Sequence, residues 1–228
     1  MKRLIILTGA GMSSESGIKT FRDSGGLWEE YDVTEVATPM AWGKDRDLVL
    51  RFYNERRRQL ATCEPNEGHV GLAELEKNFD VHIITQNIDN LHERAGSTKI
   101  LHLHGELTKA RSTVDPSLVY DIGYKDINAG DNCEKGSQLR PHIVWFGEDV
   151  PMMTEAVNIT AGADIFVVIG SSLNVYPAAG LINYAPHKAS LWLIDPKDVA
   201  IPYHMNVNVI KEKASDGVAI LSERLLKG

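Results

Sequence analysis

Short apolar runs rich in Val and Ile recur along the chain at Arg3 to Leu7, Val81 to Thr85, Ile100 to Leu103, Ile165 to Ile169, Leu191 to Ile194 and Val207 to Ile210. Runs of this length suit buried parallel strands covered on both faces. Between them, Asp47 to Ala61, Glu67 to Asn78, Ala178 to Tyr184 and Ala214 to Leu226 read as helices. Strands and helices in alternation predict an α/β fold built on a doubly wound parallel sheet. The span Lys109 to Arg140 breaks the pattern, mixing Gly, Asp, Asn and Ser with few apolar positions, and reads as an insertion forming a small second lobe.

Composition narrows the class. At 228 residues the chain holds one sizeable α/β domain with a modest appendage. A net charge of -7 argues against a nucleic-acid face, with Arg56, Arg57 and Arg58 a local exception. The apolar run Leu4 to Leu7 is too short for a membrane helix or a secretory signal, so the expected location is cytoplasmic, with no membrane partner. Cys63 and Cys133 stand seventy positions apart, too few and too distant for a disulfide framework or a four-cysteine zinc site; both read as free thiols.

Three polar segments sit where strands end. The first is Thr8-Gly9-Ala10-Gly11-Met12-Ser13-Ser14-Glu15-Ser16-Gly17, where glycines would let backbone approach a pyrophosphate ahead of a helix N-terminus. Ser14 replaces the third glycine of the usual fingerprint, and a Gly-x-Gly after a strand is also an ordinary tight turn. Phe21, Arg22, Gly25 and Gly26 follow and read as a lid, or as a surface loop with a solvated arginine. The second is Gln86-Asn87-Ile88-Asp89-Asn90, whose amides and acid could bind a ribose and a carboxamide or could simply cap a helix. The third is His102-Leu103-His104-Gly105: His104, nearer the carboxyl end of its strand, is the candidate base, and His102 reads better as a core or capping histidine.

In order and spacing, these blocks resemble the signature of the sirtuins. The likeness continues through Ile143-Val144-Trp145-Phe146-Gly147-Glu148 and Gly170-Ser171-Ser172-Leu173-Asn174-Val175-Tyr176-Pro177-Ala178, leaving out only Lys109 to Arg140. The resemblance implies a Rossmann-like large lobe over 1–30, 80–108 and 141–228 and a small lobe over roughly 31–79 and 109–140. It also implies an enzyme that consumes NAD to remove acyl groups from lysine side chains of proteins, yielding nicotinamide and O-acyl-ADP-ribose. By the same likeness Gly9, Ala10, Gly11, Glu15, Gln86, Ile88 and Gly170, Ser171, Ser172 and Asn174 belong to the NAD site. Asn87 orders the ribose and a water, Asp89 holds the nicotinamide carboxamide, His104 acts as base, and Phe21 and Arg22 close over the cleavage site. Asp195 and the Ala214 backbone fall near the adenosine. Phe146, Gly147 and Glu148 match a strand that pairs with extended substrate peptide.

Two further features concern specificity and metal. Tyr53 and Arg56, three apart on one helical face, match with Ala37 a sirtuin pocket for acidic acyl groups; an arginine fork and a phenol suit a carboxylate. The alternative is a solvated basic face. Most sirtuins hold structural zinc with two Cys-x-x-Cys pairs, whereas Ser112, Asp115, Cys133 and Gly136 stand at those positions, so no zinc is expected. Two other functions remain open at this stage: an ADP-ribosyltransferase or NAD glycohydrolase, and a non-catalytic NAD-sensing module.

Overall fold

A computed structural model describes residues 1–18, 31–201 and 205–227. Its strands, in chain order, are β1 (Arg3–Thr8), β2 (Asp80–Thr85), β3 (Ile100–His102), β4 (Gly105–Ser112), β5 (Val119–Asp121), β6 (Leu139–Ile143), β7 (Ile165–Ile169), β8 (Ser190–Ile194) and β9 (Val207–Ile210). The six apolar runs pair into one sheet in the order β3-β2-β1-β7-β8-β9, parallel throughout. Leu4 to Leu7 are wholly buried, because both faces are covered. Alternation splits them: Leu4 and Ile6 pack with Leu72 and Leu75 of helix Glu67–Leu75 and with Val218 and Leu221 of helix Ala214–Lys227. Ile5 and Leu7 face the other way, toward Ala156 of helix Met153–Thr160 and Leu181 and Ile182.

The span read as an insertion contributes most of a second, antiparallel sheet ordered β5-β4-β6. It shares a core with helices Val33–Val36, Pro39–Lys44 and Arg46–Leu60, through Val49, Phe52, Leu60, Leu107, Ile143 and Trp145. The three consecutive arginines of Arg46–Leu60 diverge. Arg57 is fully buried and donates to the Leu107 carbonyl at 2.7 Å and to Asn54 Oδ1 at 2.6 Å, Arg58 pairs at the surface with Asp126, and Arg56 faces the cavity described below. A uniformly solvated basic face is therefore not what this helix presents.

Some expectations shift. Ala178–Tyr184 winds as a 3-10 helix, and helix Glu67–Leu75 stops short of Asn78. Helices Val33–Val36, Pro39–Lys44, Leu91–Ala95 and Met153–Thr160 had no clear sequence period to announce them. The four positions aligned with zinc-binding cysteines do not fit that metal. Ser112 Oγ lies 3.3 Å from Cys133 Sγ and 2.9 Å from Ser137 Oγ and accepts the Asp115 N–H at 3.2 Å, while the Asp115 carboxylate pairs with Lys135 at 2.6 Å. Polar contacts and an ion pair thus join strand and loop at the place where four thiolates would be needed. Among the described residues no three His, Cys, Asp or Glu side chains cluster to hold a metal, and no helix is long and apolar enough to cross a membrane.

Candidate functional site

Strand order reverses between β1 and β7, so the loops leaving those two strands diverge and open a crevice at their carboxyl ends. The loops also clasp each other. Gly9 N–H donates to Ile169 O and Gly11 N–H to Gly170 O, both at 2.9 Å. A Cβ on Gly11 would stand 2.6 Å from Gly170 Cα, and one on Gly170, whose φ is +60°, would stand 2.5 Å from the Gly11 carbonyl carbon. The glycines are thus required first by loop against loop, and the exposed backbone of that clasp then lines a cavity of about 600 Å³.

The β2 loop forms the cavity's next wall. Gln86 N–H continues the sheet by bonding Thr8 O at 2.9 Å, and its side chain donates to Ser171 Oγ at 2.9 Å. Asn87 Nδ2 bridges Gly9 O at 3.1 Å and Ser13 Oγ at 3.0 Å, and Ser13 donates to Asp89 Oδ2 at 2.9 Å. Ser13, which carried no assignment from sequence, therefore ties the glycine loop to both polar residues. Burial pushes the Asp89 carboxyl above its ordinary range, against the hydrogen bonds from Leu91 N–H and Ser13. Asp89 also accepts the Leu91 N–H at 3.2 Å, so one side chain both shapes the turn into helix Leu91–Ala95 and lines the cavity.

Two histidines clip successive carbonyls of this loop. His104 Nδ1 lies 2.9 Å from Gln86 O, an acceptor only, so Nδ1 carries the proton and Nε2 keeps its lone pair. Burial lowers the His104 pKa, partly offset by that carbonyl, and leaves a neutral imidazole on the cavity wall. Gly105 follows at φ +79°, where a Cβ would fall 2.0 Å from His142 O; only glycine lets the chain turn there into β4. His102 sits between Asn87 O at 3.2 Å and Glu93 Oε1 at 2.7 Å. Burial opposes charge on His102, but Glu93 outweighs it and raises the pKa. His102 is thus tied to backbone and to Glu93 and does not line the cavity.

Tyr53, Arg56 and Ala37 line the same cavity. Burial pushes the Tyr53 pKa up to about 12, keeping the phenol protonated. Burial also lowers the Arg56 pKa, opposed by Tyr53 and Asp89, but a guanidinium stays charged at neutral pH. Gly170, Ser171, Ser172, Asp195 and Ala214 line it too, from the loops after β7 and β8 and the start of helix Ala214–Lys227. Two assignments sit differently: Glu15 is off the cavity and accepts Ser215 N–H at 2.9 Å, and Asn174 is exposed outside it. Phe21 and Arg22 lie outside the described residues. Phe146 to Glu148 is a correction. It forms a turn, not a strand, because Gly147 takes φ +89° and the Glu148 carboxylate folds back onto Trp145 N–H at 2.8 Å and onto Arg140 at 2.7 Å. Phe146, Gly147 and Glu148 all still line the cavity, and Phe146 N–H donates to Ala37 O at 3.0 Å.

Comparison with known proteins agrees with this geometry. A family model described as the Sir2 family matches residues 9–177. An NAD-dependent protein deacylase of Bacteroides thetaiotaomicron is 55% identical over 99% of this chain and 99% of that protein, and one of Helicobacter pylori is 53% identical over 100% and 97%. Among solved structures, a Sir2 homolog–NAD complex superposes with a TM-score of 0.89 at 37% identity, covering 99% of this chain and 90% of the other. A Sir2 protein solved with deacetylated p53 peptide and 3'-O-acetyl ADP ribose gives 0.83 at 29%, covering 97% and 92%.

Proposed function

The chain belongs to the Sir2 family of NAD-dependent protein deacylases, and from that premise we propose that it removes acidic acyl groups, succinyl, malonyl or glutaryl, from lysine side chains, with acetyl as a secondary substrate. The observation that carries the acidic preference is the Tyr53–Arg56 pair on one cavity wall beside the small Ala37. A carboxylate there would meet a fixed cation and a protonated phenol with water largely displaced, whereas an acetyl group carries no charge to pair with the guanidinium.

Bound NAD would supply a ribose carbon made electrophilic as nicotinamide leaves. With no side chains at Gly9, Gly11 and Gly170, the clasp would let its phosphates approach the backbone closely beside Ser171, and Asp195 and Ala214 would lie toward the adenosine. Asn87 and Gln86 would orient the ribose next to the reacting bond, and Asp89, with its carboxyl held toward the neutral form by burial, could donate to a carboxamide oxygen. His104 Nε2 would take a proton from a ribose hydroxyl, since its Nδ1 is committed to Gln86 O. The cavity between the two sheets' cores would then be the seam between the two lobes. An ADP-ribosyltransferase would use the nucleotide end equally well, but would have no need of the Tyr53–Arg56 wall.

The test compares acetylated, succinylated and fatty-acylated forms of one peptide with NAD. Arg56→Met should lower kcat/KM on the succinyl peptide by roughly tenfold to a hundredfold, the value of a charge-assisted hydrogen bond, and on the acetyl peptide by much less. Equal losses on both would defeat the acidic-pocket assignment.

A further inference from the structure

Trp145 had no assignment from sequence, yet it touches the acyl wall by an atom of fixed polarity. Its indole Nε1 lies 3.1 Å from Tyr53 Oη, and an indole N–H can only donate. Tyr53 Oη is therefore an acceptor in this bond, and its own proton, which goes to no acceptor among the described residues, is left for a group in the cavity that Tyr53 lines. Without the indole, the phenol could rotate its proton elsewhere or accept from a neighbouring donor, and would confront a carboxylate with a lone pair.

We propose that Trp145 is a specificity-positioning residue: it commits the Tyr53 hydroxyl to donate into the acyl site, biasing that site toward substrates ending in a carboxylate. The indole is held in place on two sides. Trp145 is 2% exposed, its ring packs at a tilt against Trp42 with centroids 5.7 Å apart, and the Arg140 guanidinium lies 3.3 Å above it. Arg140 is fixed in turn, bonding Glu148 at 2.7 and 3.1 Å and the Ile143 carbonyl at 2.9 Å, while Glu148 also accepts the Trp145 backbone N–H and faces Arg111. Glu148 thus acts through the turn that seats the indole, which explains why it folds inward.

The inference rests on the acidic-acyl reading, so its test begins with the wild-type ratio of kcat/KM for succinyl over acetyl peptide. Trp145→Phe keeps an aromatic ring beneath Arg140 and deletes the donor. That ratio should fall roughly tenfold, mainly through a higher KM for the succinyl peptide, the worth of one well-placed hydrogen bond. Replacing Trp145 by its benzothienyl isostere, sulfur for N–H in the same shape, should give the same fall and guards against a packing artefact. In a Tyr53→Phe background neither change should lower the ratio further. An unchanged ratio in the isostere, or equal losses with and without the Tyr53 hydroxyl, would overturn the role of Trp145 while leaving the pocket intact. A wild-type enzyme with no succinyl preference would overturn the pocket reading itself, and is distinguished by appearing before any variant is made.

Discussion

Replacing His104 with alanine is expected to lower turnover on every acyl peptide by roughly a hundredfold to ten-thousandfold, the usual contribution of a positioned general base, while NAD still binds. The expectation follows from the tautomer. Gln86 O can only accept, so it fixes the proton on Nδ1 and presents Nε2 to the cavity without a reorganisation step. Burial lowers the His104 pKa from the ordinary histidine value, so the base is neutral at pH 7 and becomes protonated only in more acidic solution. The acid limb of kcat/KM should therefore fall below about pH 6.5, with activity lost as pH drops through the folded-state value. Steady-state kinetics across pH, with nucleotide affinity measured by titration calorimetry, check both parts. A variant that retains most activity, or one that loses NAD binding along with turnover, would remove His104 from the role of base.

Gly170→Ala should be nearly as damaging by a different route. The added Cβ would meet backbone of Gly11 and Met12 at 2.5 Å, and φ of +60° is a strained setting for any residue with a Cβ. Neither contact ends on a flexible side chain that could swing aside. The overpacking and the backbone strain together should cost roughly 3 kcal/mol or more in urea unfolding, with weaker NAD binding in whatever remains folded. A variant as stable as the parent would mean that the two loops yield easily, and the clasp would lose its claim to be a rigid cradle.

The large sheet was legible because its central strands are buried on both faces and so write themselves as unbroken apolar runs; Leu4 to Leu7 and Ile165 to Ile169 needed no partner to be recognised. The small sheet was not. β4 carries Glu106 and Lys109 among its buried positions, and its register to β6 shifts between Glu106 and Ala110, so no clean period of two survives. At the site, the cavity-lining residues picked out from sequence are those grouped in short blocks at strand ends or, like Tyr53 and Arg56, spaced along one helical face. Those missed act across the chain: Ser13 reaches Asp89 from 76 positions away and Trp145 reaches Tyr53 from 92. Glu148 was read as part of a strand, which does not form because Gly147 turns the chain and Arg140 draws the carboxylate inward, a pairing that local spacing does not reveal.

The reaction products test the account most directly. With NAD and a succinyl-lysine peptide, mass spectrometry should find nicotinamide, free lysine peptide and an O-succinyl-ADP-ribose formed in equal amounts. Nicotinamide released with ADP-ribose free or attached to protein, and no acylated sugar, would contradict it.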